Sequence, residues 1–352
     1  MHIAIDIREA LRPEKTGKGK WTEGFLRELS SRDVTLTLCA DCPIPKELSK
    51  HNSVVIQKKG LRWHFALAKE LKNHSDIDAF VSPTSYIVPA LLGKRMRCIP
   101  VVHDLIAFRN EPHDRKARMI EYCTLGRAVR SAWKVAVISE STKKDLIEKY
   151  PHLDAEKIVT LYAGPLREKV PPSIPDEQTI LCAATLCLRK NQARLIRAYA
   201  ALDADLRKQY RLVLVGARGW RDEDILRLIE QTPGVEWKKY VSDAEYEALL
   251  NKATVFALPS LYEGFGMQIL DAMQRSIPIL TSNRGSLKEV AGSAALFCNP
   301  EDEQSICTGL RMLLLDKDLR KRLQRECPKQ AAQFSWKRTV DLFLLLATHV
   351  KK

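Results

Sequence analysis

The chain has 352 residues, 45% hydrophobic and 28% charged, a globular balance with length enough for two domains of ordinary size. It holds 57 Lys and Arg against 43 Asp and Glu, a formal net charge of +14. The excess is spread, with no Arg-rich tract and no aromatic-interleaved basic motif, which argues against a sequence-specific nucleic-acid reader and for anionic lipid headgroups or phosphorylated small molecules. No stretch approaches the roughly 18 uninterrupted apolar residues of a membrane span.

The opening residues, Met-His-Ile-Ala-Ile-Asp-Ile7, read as a strand over 2–7 rather than an apolar leader with a cleavage site. Nine cysteines, an odd number lying in apolar segments such as those of Cys98, Cys182 and Cys298, are the pattern of reduced core thiols in a cytosolic setting. Cys39 and Cys42 have redox or zinc spacing, but no second pair follows, and they are read as structural. After the first strand comes Thr16-Gly-Lys-Gly-Lys-Trp21, leading into a helix predicted over 21–29; glycine there permits positive φ and close backbone approach to a ligand. It lacks the third glycine of a dinucleotide fingerprint, and no acid follows at the right place after a second strand, which argues against a nicotinamide enzyme.

Strands are predicted at 34–38 and 54–56, then an amphipathic helix over 61–72 with Lys58, Lys59, Arg62, Trp63 and Phe65 near its start. Basic residues beside aromatics are the make-up of a membrane-surface helix, though a packing helix with a solvated basic face is the simpler reading. Buried strands follow at 79–81 and 98–102, the second ending at His103-Asp104. A strand over 135–138 precedes Ser139, whose hydroxyl suits a helix N-cap, and 158–162 closes the series. Pro165, Pro171, Pro172 and Pro175 form the one Pro-rich interval, read as a linker between two complete α/β patterns.

The second pattern begins with a strand over 179–184, then Thr185-Leu-Cys-Leu-Arg-Lys-Asn191. Arg189 and Lys190 are adjacent cations between a strand's carboxyl end and a helix start, a place that suits a diphosphate. Helix 193–201, strands 212–215 and 235–237 and helix 244–251 come next. Thr254-Val-Phe-Ala-Leu-Pro259 reads as a buried parallel strand. It runs through Ser260-Leu-Tyr-Glu-Gly-Phe-Gly266 into a helix on which Met267, Ile269, Leu270, Ala272 and Met273 have helical spacing. A helix opening from such a loop aims unpaired N–H groups and a positive dipole end at a phosphate. Glu263 and Asp271, eight residues apart, are carboxylates suited to sugar hydroxyls. Strands at 277–280 and 295–298 and a last helix to about 349 complete an α/β chain.

Glu263-Gly-Phe-Gly266, the acid eight positions on, and the continuation from Ile277 through Asn283 to Gly285-Ser-Leu-Lys-Glu-Val290 resemble the donor-site signature of retaining glycosyltransferases of family four. The resemblance covers most of the chain, strongest over 254–300 and weakest over 30–75. Asp271 stands where that family has Glu, Gln268 where it has Pro, and Ala184 and Lys239 where it has Gly. The resemblance implies the GT-B fold: an N-terminal Rossmann-like acceptor domain over 1–165, a linker over 166–175 and a nucleotide-sugar donor domain over 176–336, the two domains facing each other across a cleft. A terminal helix over 337–352 crosses back to the first domain.

By the same resemblance Gly17 and Gly19 face the donor diphosphate and reacting sugar. His103 contacts the donor sugar near its reacting carbon, and Lys190, assisted by Arg189, binds the diphosphate. Glu263 holds hydroxyls of the transferred sugar; the stretch Gly264, Phe265, Gly266, Met267 and Gln268 holds sugar and β-phosphate. Asp271 holds the ribose with a reach shortened by one methylene, roughly 1.5 Å. Val241, in Tyr240-Val-Ser-Asp243, meets a base of open identity.

No metal and no cofactor beyond the nucleotide sugar as co-substrate is expected. The pairs Asp76 and Asp78, Asp203 and Asp205, and Asp222 and Asp224 have metal spacing but follow no buried strand, and they are read as solvated acids. The implied activity is retaining, metal-independent transfer of a hexose, mannose first, from a GDP- or UDP-linked donor to a glycan or lipid-linked acceptor. Polysaccharide or lipopolysaccharide synthesis at the cytoplasmic face of the membrane is the setting. The alternatives are a non-catalytic sugar-nucleotide-binding homologue in a glycan assembly complex and an isomerase acting on a nucleotide sugar.

Overall fold

The computed structural model describes residues 1–109, 115–165, 167, 178–219 and 221–348. Its apolar runs form two sheets. The first joins β1 (His2–Asp6), β2 (Thr35–Ala40), β3 (Asn52–Val55), β4 (Ala79–Ser82), β5 (Cys98–Val102), β6 (Val135–Val137) and β7 (Ile158–Thr160) in the order β3-β2-β1-β4-β5-β6-β7. The second joins β8 (Thr179–Ala183), β9 (Arg211–Val215), β10 (Val235–Trp237), β11 (Ala253–Leu258), β12 (Ile279–Ser282) and β13 (Ala295–Cys298) in the order β10-β9-β8-β11-β12-β13. Every pairing is parallel. Parallel strands need helical crossovers that cover both faces, which is why Ile3, Ala4 and Ile5 in β1, and Val255, Phe256 and Ala257 in β11, are all fully buried. Strand β12 lies two residues beyond the predicted 277–280 because Pro278 has no N–H to enter a ladder, although its carbonyl accepts from Phe256 N at 2.9 Å.

The chain divides into two compact units, residues 1–166 with 335–352, and residues 167–334. Each is a Rossmann-like α/β domain. In each, the chain winds outward to one edge of the sheet and then returns to the other side of its first strand. This places a switch point between β1 and β4 and another between β8 and β11, where the loops at the strands' carboxyl ends diverge and leave room for a ligand. All but Arg167 of the 166–175 linker reading lies outside the described residues.

The terminal helix Trp336–Thr348 belongs to the N-terminal unit. Trp336 sits where glycine leaves space: a Cβ on Gly24 would lie 2.2 Å from its ring. Its Nε1 donates to Pro165 O at 2.9 Å, and its ring meets that of Trp21 edge-on at 5.9 Å. Phe343 packs against Phe25 with centroids 5.1 Å apart, and Thr339 Oγ1 donates to Tyr162 O at 2.6 Å.

One expectation in this unit needs correction. The first helix is Gly17–Leu29, four residues longer at its start than predicted, because Thr16 caps it by accepting from Gly19 N. Gly17 and Gly19 are therefore in its first turn, and neither has positive φ. Gly19 is small for packing, since a Cβ there would come within 2.6 Å of Glu9 O, whereas Gly17 has open space. The basic-aromatic helix, Leu61–Leu71, divides its aromatics: Trp63 is fully buried, covered by the Arg8 guanidinium 3.4 Å from its ring centroid, with Nε1 donating to Ala40 O at 3.1 Å. Leu61 and Phe65 are the exposed pair, at 52% and 57%. Among the described residues, no helix is long and apolar enough to cross a membrane. All nine cysteines are free thiols, and burial pushes Cys98, Cys182, Cys298 and Cys327 up to about 12.

Candidate active site

Three loops of the C-terminal unit meet at the carboxyl ends of β8, β11 and β12. After β8 the chain makes a short 3-10 turn, Leu188–Lys190, and Asn191 takes a left-handed φ of 64° before helix Gln192–Ala200 begins. The Asn191 amide nitrogen donates to Pro259 O at 2.9 Å and to Pro300 O at 2.7 Å, tying this loop to those that follow β11 and β13. From the β12 side, Ser286 N and Oγ both donate to Glu263 O at 3.1 Å, and Ser282 Oγ donates to Ser260 O at 2.5 Å. Gly285, at φ 55°, is required here, because a Cβ would lie 2.4 Å from Glu263 O. The glycine loop is thus held along its backbone from both neighbouring strands.

Glu263, Lys190 and Arg189 form one charge cluster, buried at Glu263 and Lys190 and half-buried at Arg189. Lys190 Nζ donates to Glu263 Oε1 at 2.5 Å, and Arg189 Nη1 donates to Glu263 Oε2 at 2.9 Å and to Tyr262 O at 2.8 Å. Ser260 Oγ adds a bond to Glu263 Oε1 at 2.8 Å. Burial works against the ionised carboxylate, but Lys190 and Arg189 outweigh it, and Glu263 is held down at about 2. Gly266 caps helix Met267–Gln274 with φ 88°, a left-handed conformation that glycine adopts without strain. Met267 and Gln268 supply the first amides of that helix, which have no carbonyl partner inside it. Phe265 is packed inward against Phe334 at 5.6 Å, so only its backbone is available to a ligand. Asp271 is buried further along the same helix, with Tyr246 Oη donating to its Oδ2 at 3.4 Å.

Tyr240 and Val241 lie in the turn between β10 and helix Asp243–Lys252, which Ser242 and Glu245 close as a reciprocal capping box. Lys239, standing where the resembled family has glycine, holds φ 58°, a conformation that costs a residue with a Cβ about 1 kcal/mol or more. Its carbonyl accepts from Gly216 N at 2.8 Å, which explains why the turn keeps that shape without a glycine.

In the N-terminal unit, His103 is buried just past β5. Its Nε2–H donates to Pro83 O at 2.7 Å, and its ring meets Trp21 edge-on at 5.6 Å. Burial and the Lys18 charge push it down to about 4, so it is neutral at pH 7. Asp104 Oδ1 accepts from Ile106 N at 3.1 Å and shapes the loop.

Of the three acidic pairs, Asp222 is not a solvated acid. It is buried, and Arg218 grips it with two bonds of 2.8 and 2.9 Å. Asp203 and Asp224 pair with Arg311 and Arg197. Among the described residues, no group of three or more His, Cys, Asp or Glu side chains is placed to hold a metal ion.

A protein-family model described as glycosyl transferases group 1 matches residues 166–330, the span that carries this cluster. The O-antigen chain mannosyltransferase B of Escherichia coli is 31% identical over 272 residues, 71% of this chain and 71% of that one. The chain belongs to the group 1 glycosyl transferases. A serotype-specific mannosyltransferase, WbdA, also of Escherichia coli, is 31% identical over 273 residues, 70% of this chain but 32% of that longer protein. Among solved structures, HepE of Anabaena in complex with UDP and glucose superposes with a TM-score of 0.77 over 98% of this chain and 99% of that one, at 16% identity. The fold of this glycosyl transferase is GT-B, built from two Rossmann-like domains.

Several residues that shape the surroundings of Glu263 and Asp271 escaped the sequence reading. Ser260 could have been noticed from its place three residues before Glu263 in the same loop. Tyr246 and Arg275 carry no comparable signal, because helix and loop periodicity cannot show which side chains meet Asp271.

Proposed function

We propose that this glycosyl transferase moves a hexose, mannose first, from a nucleotide diphosphate sugar to a glycan or lipid-linked acceptor. The transfer retains anomeric configuration and needs no metal ion, as in family four. The observation that carries the reading is the Glu263–Lys190–Arg189 cluster beside the helix that opens at Gly266. The mannosyltransferase relatives favour mannose and an O-antigen-type glycan. The HepE complex with UDP and glucose favours a nucleotide donor.

In this mechanism the donor's diphosphate takes over the two cations. Glu263, whose carboxylate those cations hold ionised until the donor arrives, then accepts hydroxyl bonds from the hexose. The helix dipole and the cations stabilise the charge that develops on the leaving diphosphate. The acceptor oxygen bonds to the anomeric carbon as the bond from that carbon to the phosphate oxygen breaks, and the acceptor's proton passes to the departing phosphate oxygen. Attack from the face the diphosphate leaves retains configuration. His103, Gly17 and Gly19 are assigned to the donor by family resemblance.

The outward side of helix Leu61–Leu71, with Leu61 and Phe65 beside Lys58, Lys59 and Arg62, is the part proposed to rest on an anionic membrane face.

The test is turnover of labelled GDP-mannose and UDP-hexoses by purified protein, with a mannose-terminated glycan as acceptor. Transfer from one donor is expected, undiminished in excess chelator and abolished in a folded Lys190→Ala variant. Undiminished turnover by that variant would remove the diphosphate assignment; activity that falls with chelator and returns with magnesium would remove the metal-independent one.

A further inference from the structure

In the C-terminal unit, Asp271 belongs to a ring of contacts, closed through its own main-chain carbonyl, that begins where the chain enters that unit. Tyr246, buried, donates its hydroxyl to Asp271 Oδ2 at 3.4 Å. Arg275, whose side chain is fully buried one turn beyond Asp271, donates Nη1 to the Asp271 carbonyl at 3.0 Å and pairs through Nη2 with Glu247. Glu247 also takes Arg167 Nε at 2.8 Å. Arg167 completes the ring by laying its guanidinium 4.9 Å from the centroid of the Tyr246 ring, and its Nη2 pairs with Asp243 at 2.7 Å. Gln274 Nε2 in turn donates to the Arg167 carbonyl at 3.4 Å.

The arrangement costs stability that simpler packing would not. Arg275 Nε and Arg167 Nη1 are buried with no hydrogen-bond partner, and an apolar side chain of Arg275's volume would often serve the fold as well. What the ring supplies is position. Tyr246 and Glu247 stand on helix Asp243–Lys252, while Asp271 lies in the middle of helix Met267–Gln274 and Arg275 is its C-cap. The ring therefore locks the roll of one helix to that of the other. The charges of both arginines are matched by Asp243 and Glu247, and Asp271 is gripped through a neutral phenol and through its own carbonyl. The contrast is Asp222, which Arg218 clamps with a two-bond fork.

We infer that Tyr246, Glu247, Arg275 and Arg167 are positioning residues that hold the Asp271 carboxylate where a nucleotide's ribose hydroxyls are recognised. Because helix Asp243–Lys252 begins directly after Tyr240 and Val241, the same ring sets the distance between the turn assigned to the base and the carboxylate assigned to the ribose. The inference rests on the donor reading above and names the residues that give it selectivity for an intact ribonucleotide.

The experiment is calorimetric titration of GDP, and separately UDP, into the full chain and its variants, with donor kinetics alongside. For the nucleotide that binds, Asp271→Ala weakens affinity tenfold or more. Tyr246→Phe, which keeps the ring and its stack with Arg167, weakens it three- to tenfold and raises the donor KM by the same factor with kcat unchanged. The double variant is no weaker than Asp271→Ala alone, since the phenol acts only through that carboxylate. With the 2′,3′-dideoxynucleoside diphosphate, wild type and Tyr246→Phe bind alike. Arg275→Lys, which keeps the charge but loses the two-pronged reach, follows Tyr246→Phe. If Asp271→Ala leaves affinity intact, the ribose assignment itself fails. If Asp271→Ala weakens binding while Tyr246→Phe has no effect, or multiplies with it independently, or weakens the dideoxy ligand equally, the ribose assignment stands and the positioning role is overturned.

Discussion

Glu263 and Asp271 are both buried acids in one strand-loop-helix unit, yet their surroundings divide their work. Glu263 is bound to two cations and Ser260, and Asp271 to a phenol. In the proposed mechanism Glu263→Ala should lose kcat while still binding free nucleoside diphosphate, because its partner is the sugar. Asp271→Ala should raise KM with kcat little changed, since ribose contact is made equally in ground and transition states. Charge-assisted bonds of about 1.5–3 kcal/mol put the Asp271 loss near tenfold or above. Calorimetry on both variants decides; the reverse pattern would exchange the two roles. His103 gives a second residue-scale prediction. Folded, it titrates at about 4, against an ordinary 6.5 when unfolded. Between those values the unfolded chain binds the extra proton, so stability falls as pH drops from about 6.5 toward 4, by at most ~3 kcal/mol. Above 6.5 the group is neutral in both states and contributes no slope. Denaturation of wild type and His103→Gln at pH 7 and pH 4.5 should show the variant losing less on acidification; parallel losses would show that His103 is not held neutral by burial.

At the scale of elements, helix Leu61–Leu71 shows how one amphipathic pattern serves two environments. Trp63, Leu67 and Leu71 pack into the sheet. Leu61 and Phe65, four residues apart, share the other side with Arg62 nearby and Lys58 and Lys59 just ahead of the helix. Each basic residue near an anionic surface is worth about 1 kcal/mol. Lys58→Glu with Arg62→Glu should therefore lower partition onto phosphatidylglycerol-containing vesicles by about tenfold or more, as measured by co-sedimentation. Leu61→Ser with Phe65→Ser should lower it too, while neither pair changes the melting temperature by more than a degree or two. Equal binding by all variants would place the lipid contact elsewhere. The loop around Glu263 shows the opposite economy: its backbone is held by Asn191, Ser282 and Ser286, leaving Glu263 to the cations.

For the whole molecule, the terminal helix is the informative part, because 335–352 and 1–166 are one compact unit although the sequence between them forms another. Trp336 fills the space above Gly24 and Gly164 and is nearly fully buried. Trp336→Ala should cost the N-terminal unit about 3–5 kcal/mol, the range for emptying an aromatic site in a core. Nucleoside diphosphate should still bind, since the cluster around Glu263 lies in the other unit. Calorimetric unfolding would show one of two transitions moving alone; loss of nucleotide affinity together with it would contradict the separation.

The α/β class, the parallel strands and the strand-loop-helix around Glu263 were legible in the sequence, for a local reason. A buried parallel strand must be apolar on both faces, and a phosphate-facing turn must bring glycine and polar residues to a helix start. Strand edges were legible to within about two residues, failing where Pro278 withheld a ladder donor and where Thr16 capped a helix earlier than the apolar pattern began. Length and linear pattern carry no information on which side chains meet across helices. That Trp63 turns inward while Phe65 turns out, that Asp222 is clamped by Arg218, and that Tyr246 and Arg275 close on Asp271 were decided only by tertiary packing. Contacts between residues far apart in the chain depend on the relative roll and spacing of whole elements, and those are set by the summed packing of every side chain between them.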